Sequence, residues 1–175
     1  MKFSKEIALK DGRICLLRNT SGIDAKAALE SFNKVHAETD FLLSYPDEKG
    51  FSIEEEADFL ANKETSSSEA ELCSVIDDRI VGLAGFSSVG SREKIRHRAE
   101  FGISVDREFW GLGIGRALTE ACIGCVKDAG YRQLELEVVA ENSRAIALYE
   151  NFGFREYGRN PRGFHSRYTG WRSLY

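Results

Sequence analysis

Residues 109–117 read Phe-Trp-Gly-Leu-Gly-Ile-Gly-Arg-Ala, three glycines at alternate positions between two differently patterned segments. Before them, Ala99, Phe101, Ile103 and Val105 alternate with Arg98, Glu100, Gly102 and Ser104, the period of a strand with one buried face. After them, Ile114, Ala117, Leu118, Ala121, Cys122 and Cys125 recur at helical period until Gly130. Strand, glycine turn and helix in that order restrict the chain to layered architectures that mix both element types. The turn also invites chemistry. Gly111, Gly113 and Gly115 remove the β-carbons that would keep an anion from the backbone. The helix they open aims unpaired N–H groups and the positive end of its dipole at that spot.

The flanking segments predict the rest of the frame. A first strand is expected over residues 13–18 and a helix over 22–38. Ser52 to Glu55 forms a capping box that opens a short acidic helix to about Lys63, followed by a polar connection over 65–69. Strands over 72–76 and 79–89 meet at Asp77-Asp78, the expected turn of a hairpin, and 90–96 is a polar turn. Residues 132–139 alternate again, Leu134, Leu136 and Val138 against Glu135, Glu137 and Val139. Asn142 caps a helix presenting Ala145, Leu148, Tyr149 and Phe152 on one face and ending at Gly153. Two closing strands are expected at about 154–159 and 165–173. The expected fold is α+β: a central mixed, mostly antiparallel twisted sheet of six to seven strands flanked by about four helices, in one domain over 1–175.

Three phosphate-binding readings of the turn can be weighed. A P-loop needs Gly-x-x-x-x-Gly-Lys-Ser/Thr, and no lysine follows these glycines. A dinucleotide fingerprint needs Gly-x-Gly-x-x-Gly, but its last position holds Arg116 or Leu118, depending on the register. Glu135 does stand where that fingerprint wants an acid, yet too little chain follows residue 108 for a dinucleotide domain. The third reading fits. Trp110-Gly-Leu-Gly113-Ile-Gly115 resembles the acetyl-CoA loop of the GCN5-related N-acetyltransferases, Gln/Arg-x-x-Gly-x-Gly/Ala, with Trp110 in place of the first residue. Asn142-Ser-Arg-Ala-Ile-Ala-Leu-Tyr149-Glu-Asn-Phe-Gly-Phe154 resembles the same family's Asn-x-x-Ala-x-x-Leu-Tyr-x-x-x-Gly-Phe signature. The resemblance covers about residues 70–160 well and the N-terminal third only loosely.

That resemblance implies acetyl transfer from acetyl-CoA to an amine. Trp110, Gly111, Leu112, Gly113, Ile114, Gly115, Arg116 and Ala117 would grip the pyrophosphate. The backbone of Ile103, Ser104 and Val105 would pair with the pantetheine arm, as in strand addition. Asn142 and Ala145 would border that arm, although Asn142 reads equally well as a helix cap alone. An alkyl amine has a pKa of ~10.4 and must lose a proton before it attacks. Glu100 is the candidate base; the competing reading is a solvated or ion-paired carboxylate on a half-exposed strand. His36, His97 and His165 are lesser candidates. Tyr149 is the candidate general acid for the departing thiolate, against the plain alternative of a core tyrosine.

Composition bounds the remaining choices. The chain has 175 residues, 42% hydrophobic and 30% charged, ordinary for a globular protein. A net charge of −4 argues against a nucleic-acid surface. No apolar run suits a membrane span, and the start lacks a signal-peptide pattern, so a cytoplasmic protein is expected. Cys122 and Cys125 have zinc-like spacing but lie on an apolar helix stripe without a second pair; with Cys15 and Cys73 they read as buried thiols, and no metal is expected.

The acceptor is least determined. Residues 47–71 hold nine acids against Lys49 and Lys63, which would suit a cationic acceptor or be only a solvated helix face. The segment around Phe41, Leu42, Leu43, Tyr45 and Phe51, which shapes the acceptor pocket in the family, would suit a partly apolar amine; Phe41, Leu42 and Glu100 are the substrate-side candidates. Three readings stand: an acetyltransferase for a small-molecule amine such as an amino acid or polyamine, one acting on a protein N-terminus or lysine, and a non-catalytic CoA-binding regulatory domain. A homodimer is left open.

Overall fold

The computed structural model describes residues 2–175. Six strands form one sheet in the order β1-β2-β3-β4-β5-β6. They are β1 (Ser4–Ala8), β2 (Ile14–Asn19), β3 (Ala70–Ile76), β4 (Arg79–Ser88), β5 (Arg98–Val105) and β6 (Gln133–Glu135). Every neighbouring pair is antiparallel except β5 and β6. Helices α1 (Ala25–Glu38), α2 (Ile53–Thr65), α3 (Ile114–Asp128) and α4 (Ser143–Asn151) flank the sheet, and a hairpin of β7 (Asn160–Ser166) and β8 (Gly170–Leu174) closes the chain. The expected α+β class, mostly antiparallel sheet and four helices are all present.

The two sheet faces are dictated by strand alternation. Leu17, Ala70, Leu72, Ala84, Phe86, Ala99 and Phe101 form one buried cluster with Leu118, Ala121 and Cys122 of α3. Cys73 and Ile80 meet Ala25, Ala28 and Leu60 of α1 and α2 in a smaller one. The β3–β4 turn falls at Asp77-Asp78 as expected, with φ of 47° and 60°, the left-handed pair that a two-residue hairpin demands and that aspartate tolerates. Ser52 accepts from the Glu55 amide at 3.1 Å while the Glu55 carboxylate accepts from the Ser52 amide at 2.7 Å, so the capping box is real. Buried Asp106, just past β5, accepts from Ser31 Oγ at 3.2 Å and pairs with Lys34 Nζ at 2.8 Å, tying α1 to the end of the central strand.

Four details depart from the sequence reading. Strand β1 is an unforeseen edge strand; Ser-Lys-Glu-Ile-Ala buries little, so its alternation is faint. The strand expected over 132–139 stops at Glu135, because β5 and β6 keep register only from Arg98↔Gln133 to Glu100↔Glu135 and then part. A bidentate pair from Arg98 to Glu135, 2.7 and 3.2 Å, fixes that vertex. No strand forms over 154–159. The span expected as one strand over 165–173 instead contains the β7–β8 turn, with Gly170 at φ 73°. Strand β8 pairs with β7 on one side, and on the other Val138 and Tyr175 exchange both backbone bonds, at 3.0 and 2.9 Å. The tail of β6 thus finds its partner in β8, on the side away from β5.

Candidate active site

The parting of β5 and β6 opens a cleft of about 1600 Å³. Its walls include Ile103, Ser104 and Val105 of β5, the turn before α3, one face of α4, and α1, α2 and the segment between them. Beyond Glu100 the β6-facing edge of β5 has no strand partner among the described residues.

The glycine turn is built for close approach. Gly111 and Gly113 sit at φ 82° and 104°, a region costly for any other residue, and Gly113 caps α3. A side chain at Gly113 would meet no atom within 4 Å, so conformation and the need for bare backbone, not crowding, require glycine there. Trp110, Gly111, Gly113, Ile114, Gly115 and Arg116 line the cleft. Leu112 and Ala117 do not; both pack on the core. The Ala117 amide already donates to the Gly113 carbonyl at 3.0 Å, which removes it from the set of free donors. The free amides of the first turn are those of residues 114–116, the usual orphans of a helix start.

Trp110 has a structural task. Its indole N–H donates to the Val105 carbonyl at 2.7 Å, locking the turn to the end of β5. Arg144 stacks on the indole at 4.6 Å and Arg107 at 5.5 Å. Arg144 also comes within 3.9 Å of the position a Gly111 side chain would take. Together with Arg116 on the cleft wall, these guanidiniums make the turn electropositive beyond what the helix dipole supplies. Arg144 escaped the sequence reading, although it stands two residues past the Asn142 cap. The residues present thus fit a bound pyrophosphate.

On the opposite wall, Asn142 Oδ1 accepts from the Ala145 amide at 3.2 Å, so the cap role is confirmed; Asn142 and Ala145 both line the cleft. Tyr149 lies half-buried against the core, edge-on to Phe101 at 6.3 Å and tilted on Phe154 at 5.8 Å. Its hydroxyl has no hydrogen-bond partner among the described residues, and burial raises the phenol to about 12. It therefore stays protonated at any physiological pH. Phe41, Leu42 and Glu100 also reach the cleft, and Glu100 is exposed with no ion pair among the described residues.

His36 lines the acceptor side but is buried, with Nδ1 2.7 Å from the Phe32 carbonyl oxygen, and burial lowers its pKa. His97 is exposed, and His165 stacks on Trp171 at 4.3 Å; neither lines the cleft. All four cysteines are free and buried. Burial lifts the Cys15 thiol to about 11 and Cys73 to about 12. Among the described residues no cluster of three or more metal-ligating side chains occurs, and no helix is long and apolar enough to cross a membrane.

Residues 34–154 match the family model described as the acetyltransferase (GNAT) family. The chain belongs to that family. It is 48% identical over 56 residues to the [ribosomal protein bS18]-alanine N-acetyltransferase of Escherichia coli K12, a match covering 32% of this chain and 38% of that protein. The chain thus spans well under half the length of the curated relatives it matches. The acetyltransferase of GNAT family from Streptococcus pneumoniae superposes with a TM-score of 0.88 at 27% identity, covering 92% of this chain and 96% of that one. The Salmonella typhimurium yncA structure, which holds its cofactor acetyl-CoA, has the same fold, with a TM-score of 0.78 at 19% identity over 91% and 90% of the two chains. The GNAT fold accounts for the parted strands, the glycine-opened α3 and the inward phenol of α4 meeting in one cleft.

Proposed function

We propose that this protein is an N-acetyltransferase that moves an acetyl group from acetyl-CoA to the primary amine of a small molecule by direct transfer within a ternary complex. The observation that carries the reading is convergence on one cleft: bare amides and arginines at one end, unpaired strand edge along the floor, an unpartnered phenol at the middle and carboxylates beyond it. The volume of about 1600 Å³ exceeds the ~300–1,000 Å³ of ordinary small-molecule pockets, which suits simultaneous occupancy by donor and acceptor.

Each residue then has a task. The amides of Ile114, Gly115 and Arg116, with the Arg144 guanidinium, hold the pyrophosphate. The strand-free edge of Ile103 to Val105, less the Val105 carbonyl that Trp110 already occupies, aligns the pantetheine arm, and Asn142 and Ala145 border it. Tyr149, raised to about 12, is a poor acid toward a thiolate of ordinary pKa ~8.5 in water, so its main service is a strong hydrogen bond to the departing sulfur in a dry site. The buried thiols, their pKa raised, are unfit as nucleophiles, which favours direct transfer over an acyl-enzyme.

A small acceptor is favoured by residues 39–50, which strap that end of the cleft. Asp40 accepts from Ser166 Oγ at 2.6 Å, Arg167 chelates Asp47 with both contacts at 2.7 Å, and Phe41 packs on the Val139–Phe164–Leu174 cluster. The E. coli relative acts on a protein alanine, and that reading keeps its place in the test. A thiol-release assay with acetyl-CoA against amino acids, polyamines, alkylamines and peptides should show turnover with a small amine and intersecting initial-rate lines. Turnover only with peptides would overturn the acceptor class. Acetyl-CoA binding without any turnover would leave a regulatory domain.

A further inference from the structure

We propose that Glu71 of β3, rather than Glu100 alone, is the carboxylate that receives the acceptor's ammonium group and takes its proton. The proposal rests on the acetyltransferase reading above. It arises from a hollow in the sheet face that looks toward α1 and α2. There Glu71, Gly85 and Gly102 stand side by side on adjacent strands, Glu71↔Gly85 and Gly85↔Gly102 in register. The two glycines leave the floor bare. A side chain at Gly85 would run into the Glu71 carboxylate, with the new β-carbon 2.7 Å from Glu71 Cδ. The carboxylate therefore lies over β4, directed away from its own strand and toward β5, where the free edge begins. Gly102, one strand further, would meet no atom within 4 Å of a β-carbon, so the space ahead of the carboxylate is open. Glu71, Gly85 and Gly102 all line the cleft.

Its surroundings leave it uncommitted. Among the described residues, buried Lys63 of α2 is the cation that acts on it, and that ammonium is already spent. It donates to the Phe86 carbonyl at 3.0 Å and to Ser87 Oγ, and pairs with Glu69 at 3.3 Å. The Glu71 carbonyl accepts from Thr20, but its carboxylate has no hydrogen bond or ion pair among the described residues. The titratable groups around it are Lys63 and Glu56 from α2, Glu69 just before its strand, Cys73 on it, Glu100 from β5 and Cys122 from α3. The carboxylates outnumber the single ammonium, which favours a visiting cation. Desolvation raises Glu71 to about 7, opposed by Lys63 and assisted by Glu56. A base with that pKa is half ionised at neutral pH and accepts a proton far more readily than an exposed carboxylate does.

The proton count closes. An ammonium nitrogen sheds two protons on becoming an amide. One passes to a Glu71 oxygen and on to water. The nitrogen lone pair then forms the C–N bond as the C–S bond breaks, and the second proton balances the one that sulfur acquires beside Tyr149.

The test uses Glu71→Gln, Glu100→Gln and Gly85→Ala in the full chain, with the best amine from the thiol-release panel. Acetyl-CoA affinity is measured by calorimetry and kcat/KM from pH 5.5 to 9. Glu71→Gln should bind acetyl-CoA as the wild type does, lose on the order of 100-fold in kcat/KM, and lose the rise of rate through about pH 7. Gly85→Ala keeps the carboxylate but displaces it, and it also presses on the Ala70 carbonyl at 2.9 Å; with circular dichroism and acetyl-CoA affinity showing an intact fold, it should lose activity in the same direction. If the wild-type and Glu71→Gln profiles superimpose, or if Glu100→Gln alone removes the ionisation, the proposal is overturned while the acetyltransferase reading stands. If the wild type acetylates no amine at all, both fall together.

Discussion

On the proposed function, the two ends of the cleft would recognise their ligands by opposite means. At the donor end the work would be done by backbone: glycine amides at the start of α3, a strand-free edge on β5 and a capped helix turn. At the acceptor end it would fall to side chains gathered from distant parts of the chain, all lining the cleft or strapping it: Phe41 before α2, Glu71 on β3, Glu100 on β5 and the strap's anchors on the last hairpin. Backbone recognition demands glycines and caps at fixed spacing, so it leaves a contiguous signature and tolerates little change. Side-chain recognition needs only that a few groups meet in space, so one frame can serve many acceptors.

That contrast can be broken from its strongest side. Gly113→Val should abolish acetyl-CoA binding in calorimetry while circular dichroism shows a folded chain, since a β-branched residue resists φ 104° and would fill the approach to the amides. Retained affinity would mean that the donor end does not depend on bare backbone. Next in size is Tyr149→Phe, which keeps the ring packing against Phe101 and Phe154. Turnover should fall ~10²–10³-fold, as for loss of one hydrogen-bond donor to developing charge, with little change in acetyl-CoA affinity. Near-normal turnover would reduce the hydroxyl to a packing feature.

A third measurement reads the acceptor end through stability. Glu71 binds its proton more tightly folded than unfolded, because its pKa rises from 4.5 to about 7. Below the unfolded value both states are protonated and the ionised carboxylate costs nothing. Between the two values the fold loses stability as pH rises, and above about 7 the full cost is present, about 3 kcal/mol at most. Glu71→Gln should therefore be more stable than wild type in urea at pH 8 and lose that advantage near pH 4.5. An equal difference at both pH values would show that the carboxylate is not desolvated. The smallest effect is expected from Arg144→Ala, a roughly two- to five-fold weakening of acetyl-CoA that shrinks in salt, as an exposed charge should give. A loss as large as that of Gly113→Val would shift the weight of donor recognition from backbone to charge.

The same contrast explains what the sequence reveals. The turn at 109–117 and the Asn142–Phe154 segment are legible because each encodes local backbone geometry, and the capping box at Ser52 and the Asp77-Asp78 turn are legible for the same reason. Strand β1 is not, because an edge strand with little buried surface carries almost no alternation. The end of β6 at Glu135 is invisible because residues 136–139 still alternate; only the loss of a neighbour stops the ladder. The hairpin of β7 and β8 is misplaced because its turn is Arg167, Tyr168 and Thr169 and announces itself only at Gly170. Glu71 escapes for a different reason. Its environment comes from Gly85 across one strand pair and from Lys63 and Glu56 on α2, and no window along the chain contains that encounter.

The parted strands carry one more consequence, for the company the protein keeps. An unpaired strand edge is ordinarily a template on which another chain can add itself, and proteins blunt such edges with charge, bulges or cover. Here the edge of β5 that β6 leaves without a strand partner faces inward. The Arg98–Glu135 pair closes the vertex, α4 and the turn before α3 wall the slot, and the tail of β6 is already engaged by β8. A polypeptide strand carries side chains on both faces and would have to enter that wedge broadside. A slender, unbranched arm need not. On the proposed function the wedge would act as a width filter, keeping a sheet's hydrogen-bonding capacity available to a narrow ligand while denying it to aggregation.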